Sequence, residues 1–270
     1  MRSPSFSMRD LALGIMRLRE YSDLLWTLSA HRVKVRYKQS VLGLAWAVLQ
    51  PLSLMLIYTL VFSFISRVST GKIPYAIFAY AALLVWTFFS TALVNATNAL
   101  VSHSHLVTKV YFPREILPLS YVIAALADLV VASTVMVGLL FYYHVPLTVH
   151  VLWAIPVVAV LTAFVTGVSL FLSATQVRFR DIGMAMPLLM QLWMFASPVV
   201  YPLEQVPGRF RPFYDLNPMV GIVDGFRRAV VGGQSPDIRL LLTSAAVSFV
   251  LLPIAYAYFR RVEATLADVI

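Results

Sequence analysis

The chain has 270 residues, of which 60% are hydrophobic and 12% charged, against roughly 25% charged in an ordinary soluble domain. With a mean hydropathy of +0.82, that balance excludes a water-soluble globule, and the net charge of +9 reflects membrane topology rather than nucleic-acid binding. Cysteine is absent, which removes disulfides, thiolate metal sites and a cysteine nucleophile.

Residues 1–40 read as a cytoplasmic region. Arg2 to Arg9 contain no apolar core of signal-peptide type, so no cleaved leader is expected. Leu11, Ile15, Leu18, Ser22 and Leu25 recur at helical spacing, while Arg17, Glu20 and Asp23 point elsewhere. With Tyr21 and Trp26, this pattern predicts an amphipathic helix over about 9–30 lying in the membrane interface.

A membrane-crossing helix needs about 20 mostly apolar residues for a hydrocarbon core of roughly 30 Å. Five charge-free stretches qualify: Gln39 to Ser66, Ile73 to Ser102, Val151 to Val177, Ile182 to Leu203 and Leu240 to Phe259. A sixth, Ile116 to Tyr143, is interrupted only by Asp128. A central carboxylate costs about 2.5–3.5 kcal/mol on insertion, and each Leu, Ile, Val or Phe returns about 0.3–0.6 kcal/mol. Thirteen such residues between Leu117 and Phe141 outweigh it.

The prediction is an all-α integral membrane protein with six spans at about 41–66, 75–101, 117–143, 151–177, 182–201 and 238–259. The spans form a domain over 41–260, followed by a tail at 261–270. An even count puts both ends on one side. That side carries fourteen Lys and Arg and the other seven, so both termini are expected in the cytoplasm.

Between the second and third spans, His103 to Glu115 reads as a short amphipathic helix ended by Phe112-Pro113, with Lys109, Arg114 and Glu115 outside the membrane. Between the fifth and sixth, Ser197 to Pro236 holds six of the 15 prolines. Those prolines exclude one continuous crossing, so two short helices dipping into the outer leaflet over about 198–232 are expected. Gly221 and Gly225 stand one turn apart for close packing.

No catalytic constellation is present. Gly167-Val168-Ser169 has no second glycine at 171 and no histidine at its depth. His103 and His105 lack further ligands, so no metal site is expected. A phosphate-binding G-x-x-x-x-G-K-[ST] run is missing as well, so if ATP drives the chain, another polypeptide is expected to bind it.

Asp128 is either part of a translocation path or a carboxyl bonded to a polar group on a neighbouring helix. Arg36 and Lys38, just before the first span, are placed both to set topology and to meet a diphosphate at headgroup depth. Tyr58, Trp86, Trp193 and Phe195 are aromatic faces available to sugar rings, with belts and core packing as the competing use.

Two runs carry a resemblance: Arg36-Tyr37-Lys38-Gln39-Ser40-x-Leu42-Gly43-x-x-Trp46 with Gln50-Pro51, and Lys109-Val110-Tyr111-Phe112-Pro113-Arg114-Glu115-Ile116-Leu117-Pro118. With Arg180-Asp181, Ser197-Pro198-Val199-Val200-Tyr201-Pro202, Asn217-Pro218-Met219 and Phe226-Arg227, the chain resembles the permease subunits of bacterial ABC exporters for O-antigen, capsule and teichoic-acid polysaccharides. The resemblance implies a homodimer of six-span subunits in the inner membrane, joined to two copies of a separate ATPase that holds ATP and Mg, with no cofactor on this chain. It also implies that 103–115 couples to that ATPase through Lys109 to Glu115, and that Pro198, Tyr201, Pro202, Asn217, Pro218 and Arg227 belong to an outer gate. The substrate the resemblance implies is a lipid-linked glycan, with membrane lipids as the remaining expected partners. A membrane enzyme acting on a lipid-linked sugar and a non-transporting scaffold subunit are the alternatives.

Overall fold

Alanines at 76, 79, 81, 82, 92 and 96 make Tyr75–Thr97 a helix that neighbours can approach closely on every side. In a computed structural model of the chain this helix is the centre of the fold. The structure describes residues 19–38, 40, 42–65, 70, 71 and 73–263. In chain order its helices are α1 (Ser22–Lys38), α2 (Ala45–Tyr58), α3 (Tyr75–Thr97), α4 (Ala99–Ser102), α5 (Ser104–Lys109) and α6 (Ile116–Tyr142). They are followed by α7 (Ala154–Arg178), α8 (Asp181–Phe195), α9 (Arg211–Leu216), α10 (Pro218–Val230) and α11 (Ile238–Glu263). No strand occurs among the described residues.

Helix α3 packs against α6, α7, α2, α8 and α10, and its residues Ile77, Ala79 to Leu83, Val85, Phe89, Ala92 and Leu93 have no exposed surface. A second apolar cluster, at the end carrying α4 and α5, joins Leu100, Val107, Phe112, Ile116, Leu117, Ala255 and Phe259. Tyr21, Leu24, Leu25 and Leu28 of the N-terminal segment pack onto it.

Five helices are long and apolar enough to cross a membrane: Ala45–Ser63, in which α2 is extended by a π-helical segment, Tyr75–Thr97, Ile116–Tyr142, Val149–Arg178 and Ile238–Glu263. These fall on five of the six expected spans. The fifth expected span, about 182–201, is instead the 15-residue α8. At about 1.5 Å per residue it is about 22 Å long. It stops early because Ser197, beyond its end, precedes Pro198, and a residue before proline is driven out of helical geometry.

The expected interfacial helix over 9–30 lies partly outside the described residues. Its described continuation, α1, runs on to Lys38 and packs along α6. Arg32 and Arg36, one turn apart, reach Ser120 and Asp128 on α6. The two helices therefore advance in the same direction, and α1 rises beside the third span instead of ending at residue 30.

Candidate functional site

Three regions of this bundle hold the residues singled out above. The first lies between α1, α2, α3 and α6. Arg36 Nη1 donates to Asp128 Oδ2, and Tyr37 OH donates to Asp128 Oδ1 at 2.8 Å. One turn earlier, Arg32 Nε donates to Ser120 Oγ at 2.6 Å, and its guanidinium lies 3.5 Å from the centre of the Tyr121 ring. A cavity of about 260 Å³ opens beside the ion pair, with Gln50, Thr87, Thr91 and Asn95 among its polar lining. Arg36 and Asp128, 92 residues apart, were assigned separate roles from sequence; the fold makes them one pair. Lys38 is exposed and outside it.

The second region is the segment after α4. Helix α5 turns Val107 inward and leaves Leu106 and Lys109 exposed, and the chain then leaves helical geometry at Val110. Tyr111 is 94% exposed, whereas Phe112 is buried against Phe259 and its neighbours. Pro113 is also buried. Arg114 is turned back on its own chain: its backbone N–H donates to Glu263 Oε1 at 3.3 Å and its Nη1 to the Glu263 carbonyl at 2.7 Å. Glu115 has no exposed surface; Tyr256 OH donates to its Oε1 at 3.4 Å and Arg260 Nη1 stands 3.8 Å from Oε2. Burial, with the charge of Glu263 next, holds the Glu115 carboxyl above its ordinary range, while Arg260 opposes the shift. The surface this segment presents outward is therefore His105, Leu106, Thr108, Lys109, Val110 and Tyr111.

His103 joins the two regions. Its Nδ1 lies 3.0 Å from the Ala99 carbonyl and its Nε2 faces Arg32 Nη1 at 3.5 Å. Burial lowers its pKa, the Ala99 bond opposes this, and Arg32 adds to the lowering. The neutral ring, donating through Nδ1 and accepting at Nε2, satisfies both neighbours.

The third region lies at the opposite end of the bundle. Asn217 caps α10, its Oδ1 accepting from Met219 N at 3.1 Å and from Trp193 Nε1 at 3.2 Å. Its Nδ2 donates to Ser197 Oγ at 3.0 Å and to the Ala196 carbonyl at 3.2 Å. Arg227 is buried, donating through Nη2 to the carbonyls of Pro198 and Val199 at 3.0 and 2.9 Å and through Nε to that of Phe78 at 3.3 Å. Tyr201 OH lies 2.8 Å from Tyr214 OH and 2.7 Å from the Phe195 carbonyl. Pro202 is buried, and Pro218 occupies the first turn of α10, where a missing N–H costs nothing. Four of the six residues expected at the gate, Pro198, Tyr201, Asn217 and Arg227, thus bond the 195–201 turn to the short helices α9 and α10.

The aromatic candidates divide. Trp86 and Phe89 are buried, Phe89 stacks on Phe164 at 5.8 Å, and Trp193 meets Phe89 edge-on at 5.0 Å. This stack is core packing, so Trp86 offers no face to a path in this conformation. Tyr58 is half-buried, bonded to Met194 Sδ at 3.7 Å, and Phe195 is exposed. Sequence reasoning missed Arg32, Arg260 and Glu263. Arg32 carried a signal, its place one turn before Arg36; the other two read only as end-of-span charges. Among the described residues no group of three or more His, Asp or Glu is placed to hold a metal ion.

Residues 23–231 match the family described as ABC-2 type transporter. The chain is 34% identical over 253 residues to the O-antigen export system permease protein RfbA of Myxococcus xanthus, covering 92% of this chain and 96% of that protein. An RfbA protein of Klebsiella pneumoniae is 26% identical over 250 residues, with 92% and 95% covered. The polysialic acid transport protein KpsM of Escherichia coli is 23% identical over 245 residues, with 87% and 92% covered. A match that runs from α1 to the end of α10, carried by a relative similar along nearly its whole length, identifies the chain as a member of the ABC-2 type transporter family.

Proposed function

We propose that the chain is the membrane permease of an ATP-driven exporter that moves a lipid-linked polysaccharide of O-antigen type out of the cytoplasm. The observation that carries this reading is the likeness to O-antigen export permeases along 92% of the chain. The permease acts as a homodimer in the bacterial inner membrane, both termini in the cytoplasm, with a separate ATPase on each subunit. Its transmembrane domain runs over about 41–260.

The ATPase docks on the apolar knob of Leu106, Val110 and Tyr111, with Lys109 at its rim. Tyr111 is the anchor, because an aromatic ring almost wholly exposed on a short rigid segment is the kind of group that fills a partner's pocket. Phe112, Pro113, Arg114 and Glu115 hold that knob from behind. The substrate's diphosphate meets Arg36 and Lys38, and Asp128 holds Arg36 until it does. The glycan passes along the exposed face of α2 near Tyr58 and leaves beside Phe195. Pro198, Tyr201, Pro202, Asn217, Pro218 and Arg227, with Trp193 bonded to Asn217, shape the outer opening.

Co-expression of the chain with its ATPase, followed by reconstitution into vesicles, tests the reading. Tyr111→Ala is expected to reduce ATPase retention about tenfold or more, as loss of an aromatic anchor does, and to abolish ATP-dependent glycan movement. Arg36→Gln with Lys38→Gln is expected to impair transport with retention unchanged. Turnover of a lipid-linked sugar by the purified chain without any ATPase overturns the proposal in favour of a membrane enzyme. Retention without transport overturns it in favour of a scaffold.

A further inference from the structure

Helix α11 begins beyond residue 231, where the family match ends, and it is fastened at both ends. At its inner end Arg114 donates to the carboxylate and the carbonyl of Glu263 at 3.3 and 2.7 Å. Buried Glu115 meets Tyr256 at 3.4 Å and Arg260 at 3.8 Å, and Arg260 is itself paired with Glu263. Phe112 packs in the same cluster as Ala255 and Phe259. The segment carrying the exposed Tyr111 is thus tied to α11 by bonds, charge and apolar contact together.

At the other end α11 touches α10 backbone to backbone. Ser244 Oγ donates to the Pro218 carbonyl at 2.9 Å. A Cβ at Gly221 would stand 2.4 Å from both the Leu240 carbonyl and Ser244 Oγ, a separation no side chain tolerates, so only glycine permits the contact. Between the two junctions α11 is one helical run, with Pro253 removing a backbone hydrogen bond within it, and it leans on α7, where a Cβ at Gly167 would lie 3.3 Å from the Leu252 backbone. Ser244 to Arg260 spans about 24 Å of helix. A helix resists stretching, so a shift imposed at one fastened end is delivered to the other.

We propose that α11 carries movement of the 103–115 dock to the outer helices α9 and α10. Arg114, Glu115, Arg260 and Glu263 are the positioning residues at its inner end, Gly221 and Ser244 those at its outer end. The inference rests on the docking reading given above.

The absence of cysteine from the chain supplies the test. Phe213→Cys on α9, at an exposed position, takes an environment-sensitive fluorophore, and the permease–ATPase complex is reconstituted in vesicles with ATP and vanadate. The otherwise wild-type complex is expected to give a nucleotide-dependent signal. Arg260→Ala with Glu263→Ala removes the ion pair carried by α11 itself, so neither is left without the other, and leaves every residue of the 103–115 dock unchanged. This pair is expected to retain the ATPase and its hydrolysis, lose the signal, and export about tenfold less, in the range of ordinary coupling energies. Arg260→Lys, which keeps the charge, is expected to preserve most of the signal. Ser244→Ala is expected to weaken the signal from the far end with the inner cluster intact. A normal signal in both the charge-pair and Ser244 variants overturns the inference. Loss of ATPase retention in the charge-pair variant also overturns it, since the cluster then belongs to the dock itself. If the unmodified permease retains no ATPase, the docking reading fails first and this inference falls with it.

Discussion

The first and second spans have similar composition and opposite surroundings. In the most apolar window of Tyr75–Thr97, 78% of residues are buried within the chain; in that of Ala45–Ser63 the share is 11%. Leu56, Ile57 and Leu60 of the first span face outward, while Ile77, Leu83 and Leu93 of the second have no exposed surface. Apolar content places a helix in the bilayer, and small residues decide whether other helices close around it. The second span has alanine at 76, 79, 81, 82, 92 and 96 and becomes the axis of the bundle. The first, rich in Leu and Ile, keeps a broad face for lipid or for another protein surface.

The largest effect that sharpens this contrast is expected from Phe89→Ala on the second span. The ring stacks on Phe164 and meets Trp193, so its loss should cost about 3–5 kcal/mol, read as a lower melting temperature in detergent. Leu56→Ala on the first span should stay within about 0.5 kcal/mol. Equal losses would show that the first span is packed after all.

A smaller effect is expected between α1 and α6. Asp128→Ala leaves Arg36 and the Tyr37 hydroxyl without their acceptor, at a cost of about 1–3 kcal/mol. Adding Arg36→Met should recover part of it, because the uncompensated charge is gone. A double variant less stable than Asp128→Ala alone would show that the pair does not hold the helices together.

The smallest effect concerns Glu115. Its folded-state pKa lies above the ordinary carboxylate value because the side chain is buried, so folding stability falls as pH rises from the unfolded value through the folded one. Glu115→Gln is therefore expected to melt higher than wild type at neutral pH, and the gap should close on acidification toward about pH 4. A gap that widens in acid would reverse the sign of the burial effect.

How much of this was legible depends on the range of each interaction. The long helices follow from charge-free runs, and the broken segment after Ser197 follows from its prolines, because both are local properties of the chain. Pairing of Arg36 with Asp128, and of Arg114 and Glu115 with the end of α11, joins residues 92 to 149 positions apart. A charge near a span end reads as a topology signal whether or not it has such a partner. That Tyr111 faces out and Phe112 in was not legible for another reason: α5 has six residues, too few for periodicity to say which aromatic faces in. The shortness of α8 was hidden because Ala196 to Leu203 continues its apolar run past the point where Pro198 ends the helix.

That shortness bears on the lipid around the protein. Helix α8 turns Met184, Leu188 and Leu192 outward, yet at about 22 Å it falls about 8 Å short of a typical hydrocarbon core. Acyl chains beside it must compress or tilt to match, at a fraction of a kcal/mol per Å of mismatch. Where lipid meets this flank, the bilayer is expected to thin.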